Sequence, residues 1–117
     1  MLTSKEIAHL AVKALDDKLA RDIQILKTDK VTVLADYFIL CTAGNSTHGK
    51  TLADEVDKVL SQAGEQPLRR EGYRSGGWTL LDFGCVVVHI FSEEMRSFYS
   101  LDRLWSDAEK IDYKDFI

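Results

Sequence analysis

Trp78-Thr79-Leu80-Leu81-Asp82-Phe83-Gly84-Cys85-Val86-Val87-Val88-His89-Ile90-Phe91 consists of two apolar runs joined by one glycine. A parallel crossover takes a dozen or more residues, so a one-glycine joint leaves two arrangements: antiparallel neighbours, or one long bent strand. Either way the second half of the chain is not built from parallel crossovers. On the first run, alternation puts Trp78, Leu80 and Asp82 on one face and Thr79, Leu81 and Phe83 on the other.

Upstream of this pair, Tyr37-Phe38-Ile39-Leu40-Cys41-Thr42 is apolar on both faces and predicts a central strand covered on both sides. Asp22 to Lys27 alternates as a half-buried strand, Thr28-Asp29-Lys30 supplies a turn before Val31-Thr32-Val33, and Gln66 to Glu71 predicts another strand. Two amphipathic helices are expected. The first spans Thr3 to Leu19, with Ile7, Leu10, Ala11, Ala14 and Leu15 at helical spacing and a Thr3/Glu6 capping box. The second runs from Ser46, as N-cap, to Ala63 with Leu52, Val56, Val59 and Leu60 in one stripe and Gly64 after it. Glu93 to Tyr99 and Leu101 to Ser106 predict two short helical pieces, and Asp107 to Ile117 a tail packed loosely on the body. The order is that of a single α/β domain with a mixed sheet flanked by helices, residues 1–106, followed by the tail, 107–117.

A chain of 117 residues, 45% hydrophobic and 29% charged, is enough for one core. No run approaches the roughly 18 apolar residues of a membrane span, and the N-terminus carries no secretory core, which predicts a cytoplasmic protein. Cys41 and Cys85 both lie in apolar runs, the setting of buried thiols rather than of a disulfide or a zinc site. The net charge of −4, with 15 basic residues interleaved among 19 acidic ones, offers no stripe to neutralise a phosphate backbone. Leu68 to Arg74, the nearest thing to a basic cluster, is expected to be a solvated edge and turn.

One motif argues for a nucleotide. Gly44-Asn45-Ser46-Thr47-His48-Gly49-Lys50-Thr51 matches the P-loop pattern G-x-x-x-x-G-K-[ST], between a strand and a helix, and Asp82 supplies an acid at the end of another strand. Against it, P-loop domains rest on a largely parallel sheet, for which the tight strand pair after Thr51 leaves no room. A nucleotidyltransferase reading of the same loop needs two or three carboxylates spaced by one residue on adjoining strands. Neither Glu65 to Glu71 nor the strand ending at Asp82 carries such a pair, so no metal site is expected. Among the three histidines, His9 and His48 fall on helices, and His89 reads as a satisfied sheet histidine rather than a catalytic base.

Ala35 to Leu40, Gly44-Asn45-Ser46 with Leu52 to Val56, and above all Gly76 to Phe91 running on to Arg96-Ser97-Phe98-Tyr99-Ser100-Leu101-Asp102-Arg103-Leu104-Trp105 resemble the ribosomal silencing factor family, also called RsfS or Iojap. The resemblance covers nearly the whole chain. It implies a nucleotidyltransferase-like topology without the catalytic acids, no enzyme activity and no cofactor. It also implies binding to the large ribosomal subunit through large-subunit ribosomal protein fourteen at the intersubunit face, which blocks joining of the small subunit and represses translation, with organelle relatives acting in large-subunit assembly. A homodimer is compatible with this.

The chain departs from the family pattern at Gly49, where many members have glutamine, and at Cys85, where aspartate is common; if that aspartate touches the partner, affinity here differs. The candidate partner-binding residues are Trp78, Leu80 and Asp82 on the strand face expected to be exposed, and Arg96, Tyr99, Leu101 and Trp105 in the short helices. A core strand would not ordinarily end its inward row in an unpaired carboxylate, which favours the outward setting of Asp82. In the competing reading Trp78 anchors a core and Asp82 caps a turn. Leu101 and Trp105, four apart, equally suit core anchors. Acidic Glu93, Glu94 and Asp82 would complement a basic ribosomal protein.

Overall fold

The protein, seen in a computed structural model, is described over residues 2–28, 35–72, 78–93 and 109–111. Helix α1, Ser4–Asp17, starts as expected: the Thr3 hydroxyl accepts from the Glu6 N–H while the Glu6 carboxylate accepts from the Thr3 N–H. Those bonds to the carboxylate hold the Glu6 pKa below its ordinary value. Ile7, Ala8, Ala11, Val12, Ala14 and Leu15 form its buried face. Beyond α1, strand β1 is Arg21–Lys27 and β2 is Tyr37–Ala43.

Helix α2, Ser46–Gln62, begins one residue earlier than its sequence suggests, because Asn45 rather than Ser46 is the N-cap: its side-chain oxygen accepts from the His48 N–H at 2.8 Å. Asparagine and serine are comparable caps, so local preference could not choose between the two. At the other end the Gly64 N–H donates to the Ser61 carbonyl and the Glu65 N–H to the Leu60 carbonyl, which closes the helix in a Schellman motif. Gly49 lies on the buried face of α2 with Leu52, Ala53, Val56 and Leu60, so the residue that completes the P-loop pattern is a packing position.

Strands β3, Arg69–Glu71, β4, Trp78–Asp82, and β5, Val86–Ser92, follow. Strand β3 is shorter than the expected Gln66 to Glu71, in keeping with Pro67, which has no N–H to give to a ladder. Between β4 and β5 the antiparallel arrangement is the one adopted, Trp78 facing Phe91 and Asp82 facing Val87. Gly84 turns the chain with φ of +87°, the Phe83 N–H donates to the Val86 carbonyl, and the Asp82 carboxylate accepts from the Gly84 N–H at 2.8 Å. Strand β6, Glu109–Ile111, pairs antiparallel with β1, so the segment read as a loose tail contributes an edge strand. Val31 to Val33 and both short helical pieces beyond Glu93 lie outside the described residues.

The six strands form one mixed sheet in the order β3-β4-β5-β2-β1-β6, with β2 and β5 parallel and the remaining neighbours antiparallel. Both helices pack on one face. Ile25, Ile39, Val88 and Leu81, aligned from β1 to β4, are fully buried beneath them with Leu15, Val56 and Leu60 in the main core. Arg70 ties β3 to that layer, its guanidinium donating to Asp57 and Asp54 of α2 at 2.7 Å each. Cys41 sits fully buried in the core and Cys85 is half-buried, both as free thiols; burial pushes the Cys85 pKa up.

Candidate functional site

Two places carry chemistry in the sequence, and the structure treats them differently. At the Gly44 loop only Gly44 and Asn45 separate β2 from α2. The Gly44 N–H donates to His48 Nδ1 at 2.8 Å, Asn45 caps the His48 N–H, and the Gly49 N–H donates to the Asn45 carbonyl at 2.9 Å. Three of the loop's backbone amides, those of Gly44, His48 and Gly49, are thus occupied by its own atoms. His48 Nε2 lies 2.7 Å from the Lys18 carbonyl, so the ring fastens the end of α1 to the start of α2. Asp82 also sits at the wrong end of the sheet: through Val87 it aligns with Phe38 at the start of β2, whereas Gly44 follows the end of β2. The acid that does end beside the loop is Glu93, which follows β5 where Gly44 follows the parallel β2, and it is engaged by Arg21 at 2.8 Å. No cluster of potential metal ligands occurs among the described residues.

The second place is the sheet face opposite the helices. Three cross-strand rows lie on it: Arg69, Asp82, Val87, Phe38 and Leu26; Glu71, Leu80, His89, Leu40 and Gln24; and Trp78, Phe91 and Thr42. Strand alternation falls as the sequence indicates, with Thr79 and Leu81 buried toward the helices and Trp78, Leu80 and Asp82 half-buried on this face.

Both sequence readings of the strand hold in part. Leu26, Leu40 and Phe91 are fully buried on this side and form a second small core, against which Trp78 and Phe38 pack. Trp78 stacks on Phe91 with ring centroids 5.2 Å apart and an interplanar angle of 25°. Asp82 is not the unpaired carboxylate the sequence argument assumed. One oxygen accepts from the Gly84 N–H and the other from the Arg69 guanidinium at 3.3 Å. The Arg69 side of that ion pair is open to solvent, which screens it and keeps its contribution to stability small. At the end of the face, Glu71, Gly72, Trp78 and Leu80 line a cleft of about 240 Å³. Gly72 has φ of +75°, and a side chain there would collide with the Trp78 backbone carbonyl, so the close approach of the β3 end to Trp78 requires glycine.

His89 is the residue whose role sequence reasoning missed. It is only 4% exposed, and burial drives its pKa down to about 4 despite the nearby Asp82, so the ring is neutral at ordinary pH. Rather than a fully satisfied sheet histidine, it accepts the Trp78 indole N–H at Nδ1, 3.2 Å away, while Nε2 is buried without a hydrogen-bond partner. No sequence signal pairs residues eleven apart across a hairpin, except that His89 and Leu80 come into register once the Gly84 turn is known. Of the other predicted site residues, Arg96, Tyr99, Leu101, Trp105 and Glu94 lie outside the described residues, and Glu93 forms an exposed ion pair with Arg21 at 2.8 Å.

The described residues thus define an α/β domain with a mixed sheet, both helices on one face and an aromatic row on the other. Comparison with known proteins gives the family: the chain matches the family described as "Ribosomal silencing factor during starvation" over residues 1–117 and belongs to it. It is 34% identical over 116 residues to the ribosomal silencing factor RsfS of Halalkalibacterium halodurans, covering 99% of each chain. With that of Bacillus subtilis it shares 36% over 111 residues, 95% of this chain and 94% of the relative. A crystal structure from Chromobacterium violaceum superposes with a TM-score of 0.88 at 37% identity, covering 90% of this chain and 88% of the other. The mixed-sheet domain is thus a family fold, and membership assigns a regulatory role directed at the ribosome.

Proposed function

We propose that this protein represses translation by docking on the large ribosomal subunit through large-subunit ribosomal protein fourteen, at the intersubunit face, so that the small subunit cannot join. The carrying observation is the family match along the whole chain, joined to a sheet face that offers a half-buried tryptophan beside a cleft. Interfaces concentrate binding energy in a few such aromatics surrounded by apolar neighbours that exclude water. Trp78 and Leu80 supply the anchor, and Asp82 and Glu71 complement a basic partner and set the encounter rate more than the affinity. Arg96, Tyr99, Leu101 and Trp105 extend the contact in this proposal. The reading requires no cofactor, metal or catalytic residue and places the protein in the cytoplasm with the ribosomes it acts on. A homodimer hiding the same face would make silencing rise less than in proportion to protein concentration.

Sedimentation of purified ribosomal subunits with the protein tests this. Co-migration with the large subunit and fewer joined ribosomes are expected, both lost in Trp78→Ala. Failure of the wild-type protein to co-migrate overturns the function, whereas unchanged binding in Trp78→Ala overturns only the interface.

A further inference from the structure

We propose that His89 is a positioning residue, which holds the Trp78 indole in its partner-binding orientation through the bond from indole Nε1–H to imidazole Nδ1. The proposal rests on the reading of Trp78 as the anchor of the partner contact.

The indole N–H can only donate, so Nδ1 must accept, and a neutral imidazole then carries its proton on Nε2. That second N–H is buried without a hydrogen-bond partner in a residue 4% exposed. Leu80 and Leu40 flank it in the cross-strand row, and Phe38 and Phe91 lie against the ring with centroids 5.1 Å and 6.0 Å away. A phenylalanine would fill the same aromatic site without an orphaned donor, so on stability alone histidine is the poorer choice.

What histidine adds is the acceptor. The stack on Phe91 sets the plane of the half-buried Trp78 indole. The directional bond to His89, a ring packed among four neighbours, sets the rotation of the indole within that plane before the partner arrives. An interface side chain ordered in advance does not lose rotamer freedom on binding, which strengthens association and slows release.

Two variants of the full chain separate positioning from packing. His89→Phe keeps the ring and removes the acceptor; His89→Asn shrinks the side chain but places an amide oxygen where Nδ1 stood. In His89→Phe the Trp78 indole N–H resonance, assigned by comparison with Trp78→Phe, should move toward that of a water-exposed indole. Affinity for purified large ribosomal subunits should fall about tenfold, with Tm unchanged or higher. His89→Asn should lose roughly 4–8 °C in Tm yet keep the indole resonance near its wild-type position and binding within about threefold. Positioning thus predicts that affinity and stability change in opposite order across the pair.

Affinity that follows Tm in both variants overturns the proposal, as does wild-type binding by His89→Phe. If Trp78→Ala itself binds normally, the interface reading fails and this inference with it. If Trp78→Ala loses binding while His89→Phe does not, the inference alone fails.

Discussion

Ile25, Ile39, Val88 and Leu81 make an unbroken apolar row across four strands beneath the helices, each fully buried. One residue earlier or later on the same strands, the opposite face carries Gln24, Leu40, His89 and Leu80. In this second row both Gln24 Oε1 and His89 Nε2 are buried without hydrogen-bond partners. The first row is apolar from end to end, and burying it takes apolar surface out of water. The second interleaves polar groups with apolar ones at a cost in stability, and it lies on the face that carries the proposed partner contact. The difference teaches where to look for function in a domain whose most conspicuous motif, the Gly44 loop, is closed.

The largest effect that would test the contrast belongs to the helix-covered face. Leu52→Ala, at a fully buried α2 position, should lower unfolding free energy by about 3 kcal/mol in a denaturant titration, with ribosome binding by the folded protein unchanged. Next comes acidification. Because folded His89 titrates near pH 4 and an unfolded histidine near 6.5, the unfolded chain binds a proton across that window that the native chain refuses, so stability falls as pH drops from about 6.5 to 4. The contribution is about 3 kcal/mol, with Asp82 and Glu71 the carboxylates on the same face, and denaturant titrations of His89→Phe should lack this slope.

Trp78→Ala should invert the first result: affinity for the large subunit falls at least about thirtyfold, with a stability loss smaller than that of Leu52→Ala. Equal stability losses in the two variants would erase the distinction between the faces. Asn45→Ala removes the α2 cap and should cost about 1 kcal/mol by thermal or chemical denaturation without touching binding. Smallest of all, Lys50→Ala should change stability by less than about 0.5 kcal/mol, and calorimetry with ATP and Mg²⁺ should show no saturable heat in either protein. Micromolar nucleotide binding lost in that variant would return the Gly44 loop to consideration.

Much of the fold was legible because its signals are local. The Thr3/Glu6 box, the helical stripe of Leu52, Val56 and Leu60, the alternation along β4 and the single-glycine joint at Gly84 each constrain a few neighbouring residues. β6 was not legible: Glu109-Lys110-Ile111 carries two charges and one apolar residue, too short for any period, and becomes a strand only because the β1 edge is there to pair with. The N-cap shift from Ser46 to Asn45 has the same character, since either side chain could do the work.

For the candidate site, sequence separated the two faces of β4 and put Trp78, Leu80 and Asp82 together, because side chains in a strand alternate whatever surrounds them. It could not show that Arg69 and Gly84 occupy the Asp82 carboxylate, that His48 reaches thirty residues back to the Lys18 carbonyl, or that His89 holds Trp78. By itself the sequence determined the α/β class, the limits of α1 and α2 to within a residue or two and the family. Strand order, the parallel β2 and β5 pair and the hydrogen-bond partners of the histidines were decided only by the tertiary structure. Periodicity and capping act over a few residues, but a hydrogen bond between distant side chains exists only once the whole sheet has brought them together.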